Sequence, residues 1–359
     1  MAIFGNSVGQ AVNGHTRPLT VNGNGHAIPA PDQPSRLAET LAEEVLTGLT
    51  KSPKSLSSRF FYDDEGSRLF QAIMHLPEYY LTRAEFEILD THKQAFLDLF
   101  GADGRPFELV ELGAGDGLKT KVLIDYFWNQ GATFSYSPVD ISKAALDNLT
   151  ADIRAQWPHL QVDSQHGEYL KALNRLADTP RRTIAGQENV RRVVLFLGSN
   201  IGNFTPADAL AFYHKISQQL QPGDLLLTGF DLQKHPAIIH AAYNDSQGLT
   251  RAFNLNLLRR INRELDADFD LLAFDHYETY QPETGEARSY LVSRDEQLVT
   301  VGSLGMLVPF ERGEVIYTEM SRKFTRAGIE DLAEETDFTV TGWLTDSKDY
   351  FADVVYEKR

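Results

Sequence analysis

The run Val110-Glu111-Leu112-Gly113-Ala114-Gly115-Asp116-Gly117 constrains the fold more than any other stretch of this chain. It closes the apolar segment Phe107 to Val110 and opens the pattern Leu118 to Phe127, which predicts a strand, a glycine turn and a helix. Glycines at 113, 115 and 117 let the backbone turn sharply and approach a nucleoside with no Cβ in the way, while the helix start offers unpaired N–H groups. Glycine turns also close strands for purely structural reasons. The spacing G-x-G-x-G, with the acidic Glu111 ahead of it, favours S-adenosylmethionine (SAM) over the dinucleotides bound by G-x-G-x-x-G.

Around this turn, strands alternate with helices. Phe107 to Glu111, Phe134 to Asp140, Val193 to Leu197 and Leu225 to Phe230 read as buried parallel strands, with Lys143 to Gln156 as one of the helices between them. The expected fold is α/β, a doubly wound, mostly parallel sheet. Phe338 to Leu344 and Phe351 to Tyr356 are expected as an antiparallel pair at one end, the habit of methyltransferase sheets more than of dehydrogenases. Helices are expected from Ser35, with Leu37, Leu41, Val45 and Leu46 on one face, after Gly66 up to Pro77, and over Arg83 to Leu99, where Thr82 and Glu85 make a capping box. Residues 1 to 35, rich in Gly, Asn and Pro, read as a disordered leader. Lys234 to about Val308 interrupts the alternation with a helical stretch around Ala237 to Leu265, after which Met320 to Phe324 is expected to return to the sheet. The insertion and the N-terminal helices are expected to form a lid over the strand C-termini, where open α/β sheets bind ligands.

The chain has no cysteine, so disulfides, thiolate nucleophiles and Cys-ligated metals are excluded. Its ten histidines are scattered without ligand spacing, and no metal site is expected. Fifty acidic against 34 basic residues, a formal charge of −16, argue against nucleic acid as a partner. No run approaches the ~18 apolar residues of a membrane span, and no secretory signal is present, so a cytoplasmic protein without membrane contact is expected.

Asp140 ends the second strand, 25 residues after Gly115. A carboxylate there suits both ribose hydroxyls of a nucleoside, and equally suits capping the helix from Lys143. Gly167-Glu168-Tyr169 either brings an acid to an adenine edge or is a solvated loop. Gly198-Ser199-Asn200-Ile201-Gly202-Asn203 follows a strand directly, and Asn203 offers donors and an acceptor without ionising, although Asn and Gly also dominate ordinary turns. Tyr79 and Tyr80 are open to a stapling role between helices.

These pieces resemble the SAM-dependent histidine Nα-methyltransferases that form hercynine, the trimethylated precursor of ergothioneine. The resemblance runs from about Pro53 to the C-terminus, through Pro53-Lys54-Ser55-Leu56, Phe61-Tyr62-Asp63, Leu76-Pro77-Glu78-Tyr79-Tyr80, Glu111-Leu112-Gly113, Phe196-Leu197-Gly198-Ser199, Ile201-Gly202-Asn203 and Asn262-Arg263-Glu264-Leu265. It implies a class I Rossmann-type methyltransferase, a mostly parallel seven-stranded sheet with an antiparallel C-terminal strand, plus a discontinuous α+β substrate domain. Residues 36–79 and 232–323 would form the substrate domain, and 80–231 with 324–359 the SAM domain. By position, Glu111, Gly113, Lys119, Asp140, Glu168, Tyr169 and Gly198 fall to the cofactor. Tyr62, Phe70, Tyr79, Asn203 and Tyr243 fall to the substrate, Asn203 and Tyr243 at its α-carboxylate and Tyr62 at its amine. Glu319 and Ser321, with Tyr79, would read the imidazole. Two apart on a strand, Glu319 and Ser321 share a face, and a carboxylate beside a hydroxyl matches both ring nitrogens.

Two departures stand out: Ser289 replaces a pocket Met of the family, and Glu168 replaces an Asp of the adenine loop. The first leaves tryptophan, tyrosine or another small amine open as substrate. The implied reaction is in-line attack of a neutral α-amine on the sulfonium methyl, needing alignment to about 3–3.5 Å and exclusion of water more than a strong base. A monomer acting on a small molecule, L-histidine first, is expected.

Overall fold

The computed structural model describes residues 40–178, 181 and 183–359. The leader 1–35, Ser35 and Leu37 lie outside them. In chain order the strands are β1 (Lys54–Ser55), β2 (Phe107–Leu112), β3 (Phe134–Asp140), β4 (Gln161–Val162), β5 (Gln165–His166), β6 (Arg191–Phe196) and β7 (Leu225–Asp231). They continue with β8 (Phe274–Gln281), β9 (Glu286–Ser293), β10 (Gln297–Val301), β11 (Met306–Phe310), β12 (Val315–Arg322), β13 (Phe338–Thr345) and β14 (Phe351–Lys358).

The main sheet has the order β13-β14-β7-β6-β2-β3-β4, with β5 also on β3. Pairs from β7 to β4 are parallel; β14 runs antiparallel to both β7 and β13. The eight strands fill seven positions, because β4 and β5 pair successive parts of the same edge, Ser135–Tyr136 and Val139–Asp140. Every residue of β2, β3, β6 and β7 is buried, including polar ones such as Glu108, Glu111, Ser135, Ser137, Arg191 and Arg192. Alternate side chains serve two cores: Leu109, Leu195 and Leu227 pack with Leu123 and Phe127 on one face, Val110, Phe196 and Leu226 with Phe212 and Ile216 on the other.

The segment Val315–Arg322 does not return to this sheet. As β12 it lies in a second sheet, β1-β12-β9-β8, and only a single bridge, Leu232 to Phe324, ties its end to the main one. This sheet packs on helix Leu249–Leu265 through Phe253, Leu257, Leu258 and Ile261. The helical stretch of the insertion is split in two, Pro236–Tyr243 and Leu249–Leu265, because the Asp245 carboxylate accepts from the N–H groups of Leu249 (2.9 Å) and Thr250 (2.7 Å) and starts a new helix.

The N-terminal helices also differ from expectation. The first is Leu41–Thr50, capped by Thr40 in a reciprocal box with Glu43, and it buries Leu41, Val45 and Leu49 while Leu46 stays 49% exposed. The expected helix Arg83 to Leu99 is two, Leu81–Thr91 and Lys93–Phe100, broken at His92. Thr82 therefore lies inside the first turn and caps nothing, and Glu85, expected as its partner, is buried against the main sheet instead. Among the described residues, no helix is long and apolar enough to cross a membrane.

Candidate functional site

Turns at the C-terminal ends of β2, β3 and β6 converge on one side of the main sheet. After β2, Gly113, Gly115 and Gly117 all have positive φ, +78°, +55° and +66°. A Cβ on Gly113 would lie 2.8 Å from the Tyr169 hydroxyl, so glycine lets that ring close over the turn; a Cβ on Gly115 would meet nothing within 4 Å, leaving its backbone open to a ligand. Asp140 joins the two turns: one oxygen accepts from the Gly115 N–H (2.9 Å), the other from the Ser142 N–H (2.7 Å). The helix cap is Ser142, which accepts from Ala145, so capping is not the work of Asp140.

The other cofactor candidates divide. Lys119 pairs with Glu85, and its ammonium lies 3.5 Å from where a Gly198 Cβ would stand. Tyr169 packs edge-on against Phe196, 5.7 Å between ring centres. Glu168 is exposed and pairs with Lys171 at 3.2 Å. Glu111 departs from its expected role: Thr120 Oγ1 donates to its carboxyl at 2.5 Å and the Tyr136 hydroxyl donates to the other oxygen. It is sealed beneath the helix start, where burial pushes it up to about 7, and serves as scaffold rather than as a face toward ligand.

Beyond Gly198 a single cavity is lined by Tyr62, Phe70, Tyr79, Asn203, Tyr243, Glu319 and Ser321, with Phe253 and Thr250. Its aromatic wall is a chain of edge-to-face contacts: Tyr62 with Phe70 (5.6 Å) and Phe253 (5.6 Å), Phe70 with Tyr79 (6.2 Å), Tyr79 with Tyr243 (6.2 Å). Tyr62 stands 47% exposed. Asn203 ends the short 3₁₀ turn Asn200–Asn203, which Ser199, at φ +55°, bends directly out of β6. Glu319 and Ser321 come from β12, so the cavity lies between the two sheets.

Its polar floor was not legible as such in the sequence. Lys323, fully buried, donates to Tyr243 Oη (2.6 Å) and Ser321 Oγ (2.7 Å) and pairs with Asp231 at 2.8 Å. Asp231 also accepts from the Tyr80 hydroxyl (2.8 Å) and from Lys234. Tyr243 Oη and Ser321 Oγ are 2.8 Å apart, so these two hydroxyls, expected at opposite ends of a substrate, form one unit over one ammonium. The available signal was the i, i+2, i+4 spacing of Glu319, Ser321 and Lys323, one face of an extended segment. Glu319 makes no hydrogen bond to described residues; burial pushes its carboxyl up to about 7 against the opposing pull of Lys323. Ser289, opposite Glu319 on β9, is buried and donates to Glu278 at 2.6 Å, so its hydroxyl is directed along the sheet. Among the described residues there is no cluster of three or more His, Cys, Asp or Glu able to hold a metal ion.

The family model described as histidine-specific methyltransferase, SAM-dependent, matches residues 41–358. The histidine N-alpha-methyltransferase of Mycolicibacterium smegmatis is 39% identical over 309 residues, 86% of this chain and 92% of its own. That of Mycobacterium tuberculosis is 36% identical, with the same shares of 86% and 92%. Ergothioneine biosynthesis protein 1 of Schizosaccharomyces pombe is 29% identical over 79% of this chain and 36% of its own.

Proposed function

The chain belongs to the SAM-dependent histidine-specific methyltransferases, and from that premise we propose that it transfers three methyl groups in turn to the α-nitrogen of L-histidine, giving hercynine for ergothioneine synthesis. The observation that carries this reading is the one cavity bordered both by Gly198 at the cofactor turn and by Asn203, Tyr243, Glu319 and Ser321.

The residues present fit SAM. Asp140, buried at the end of β3 beside the open backbone of Gly115, suits ribose hydroxyls, and Tyr169 over Gly113 offers a flat aromatic face nearby. SAM supplies an electrophilic methyl on a sulfonium, so the chain has only to bind, orient and exclude water. Asn203 and Tyr243 are assigned to the α-carboxylate, with the buried Lys323 beneath Tyr243 supplying positive charge. Glu319 is assigned to an imidazole N–H, and Ser321 lies between the two ends. Tyr62, at the partly open side, orients the amine. The α-amine of a free amino acid, flanked by a carboxylate instead of an amide, titrates above the ~8 of a chain terminus, so a minor neutral fraction reacts at physiological pH, and the nitrogen gives up a proton toward solvent before each transfer. In this reading the segments 36–79 and 232–323 bind substrate, 80–231 and 324–359 bind cofactor, and the enzyme works as a cytoplasmic monomer.

Mass spectrometry of a reaction containing the protein, SAM and histidine tests the proposal. Three methyl groups on the α-nitrogen are expected; a methylated ring nitrogen, or faster turnover of tryptophan than of histidine, would overturn it.

A further inference from the structure

Glu85 lies on helix Leu81–Thr91, outside the polypeptide turns that form the cofactor site, yet its carboxylate is 99% shielded and faces them. One oxygen accepts from the Gly198 N–H at 2.7 Å; the other receives the Lys119 ammonium. These partners belong to different loops, Lys119 following the glycine turn after β2 and Gly198 following β6. The sheet is shaped to admit the carboxylate: a Cβ on Gly229 of β7 would stand 2.3 Å from Glu85 Oε1 and 2.9 Å from Phe351 Cε1. Asp353, opposite Gly229 on β14, is buried with both oxygens unpartnered. Burial first, and then the charge of Glu85, push its carboxyl up, and Glu85 is the carboxylate that meets the Lys119 ammonium directly.

Gly198 borders the substrate cavity, whereas Asp140 marks the ribose end. The part of the cofactor beside Gly198 and Lys119 is then its methionine portion, whose carboxylate an ammonium suits. We propose that Glu85 is a positioning residue of the cofactor site, a clamp that fixes the Lys119 ammonium and the Gly198 N–H relative to each other for the amino-acid end of SAM. The proposal rests on the SAM-site reading above. A half-buried ammonium deprived of the one carboxylate it pairs with directly leaves its place, and the two loops lose their common anchor.

The test is calorimetric titration of the full chain with S-adenosylhomocysteine, alongside KM values for SAM and histidine. Glu85→Gln keeps an oxygen for the Gly198 N–H but sets an uncharged NH2, which cannot accept, against the Lys119 ammonium. It is expected to weaken S-adenosylhomocysteine binding and raise the KM for SAM at least about tenfold, leaving the KM for histidine within about twofold. Gly229→Ala, which touches no ligand, displaces the same carboxylate and is expected to give the same split; combined with Glu85→Gln it should add nothing further. Should Glu85→Gln fail to fold, Gly229→Ala carries the test on the same readouts. Unchanged S-adenosylhomocysteine affinity in the folded variants, or equal losses for SAM and histidine, overturns the proposal. A parent protein that binds no S-adenosylhomocysteine overturns the cofactor reading itself.

Discussion

Glu319 changes charge where the substrate does. Its carboxyl, pushed up to about 7, is protonated below that pH and ionised above it, while a free imidazole is neutral above ~6.5. In the proposed reading the productive pair is an ionised Glu319 accepting from a neutral ring N–H, so kcat/KM for histidine is expected to rise with pH through about 7. A second rise belongs to the α-amine of the free amino acid, above the ~8 of a chain terminus. Glu319→Gln should remove the carboxyl's part of the first limb, leaving only the ring's own titration near ~6.5, keep the second, and lower kcat/KM for histidine by about 10–100-fold, the worth of one hydrogen bond to a charged group. It should cost much less with tryptophan, narrowing the discrimination between rings. A pH–rate profile of the variant that has the same shape as the parent's through this range would remove Glu319 from ring recognition. In the proposed reading the fully buried Lys323 makes this division possible: Asp231 pairs with it beneath Tyr243 and Ser321, and Glu319, without a side-chain hydrogen bond to described residues, stays available to the ring.

What joins these residues into one site is the approach of two elements from different sheets. The 3₁₀ turn Asn200–Asn203 rests on β12 so closely that a Cβ on Gly202 would stand 2.7 Å from the Arg322 carbonyl oxygen and 3.2 Å from its nitrogen. Backbone cannot give way as a flexible side chain does, so Gly202→Ala must part the turn from the strand. The expected result is a loss of about 1–3 kcal/mol in stability and a KM for histidine raised about tenfold or more, because Asn203 moves relative to Ser321. Gly104→Ala, at φ +72° with open space around it, is the control for general glycine strain and should leave KM unchanged.

At this scale much was legible. Strands β6 and β7 declare themselves through the apolar runs Val193 to Phe196 and Leu225 to Leu227, β2 through Phe107 to Val110 ahead of the glycine turn, and Glu319 with Ser321 because strand period two puts them on one face. The two-residue strands β4 and β5 are too short to leave a period. A strand's pattern does not say which sheet it joins, which is why β12 was expected in the wrong one. Glu85 was hidden by a local coincidence: Thr82 three residues ahead imitates a capping box, while the partners that decide its role, Lys119 and Gly198, lie far along the chain.

The molecule as a whole carries its acids in two populations. Fifty acidic residues against 34 basic give the formal charge of −16, and among the described residues most acidic side chains are at least partly exposed while ten are buried, several of them paired with Lys or Arg. Burial pushes Glu111 and Glu319 up to about 7 and Glu278 up to about 8, Glu278 also feeling the charge of Glu319. Each binds its proton more tightly folded than unfolded, where a glutamate titrates near ~4.3. Their contribution to stability is therefore complete below about pH 4.3 and is lost as pH rises through about 7 to 8. Groups with lowered values, such as Asp63 beside Arg263 and Asp103 beside Arg105, lose their contribution only on acidification below about pH 4, outside this window. Mutual repulsion of the surface carboxylates adds in the same direction at high pH. The melting temperature is expected to fall by about 5 °C or more between about pH 5.5 and 8.5, taking roughly 2 °C per kcal/mol for a large chain. Glu278→Gln, which keeps an acceptor for the Ser289 hydroxyl but has no proton to lose, should flatten the upper part of that fall. Calorimetric scans that show constant or rising stability across the window would mean that these carboxyls are already ionised inside the fold.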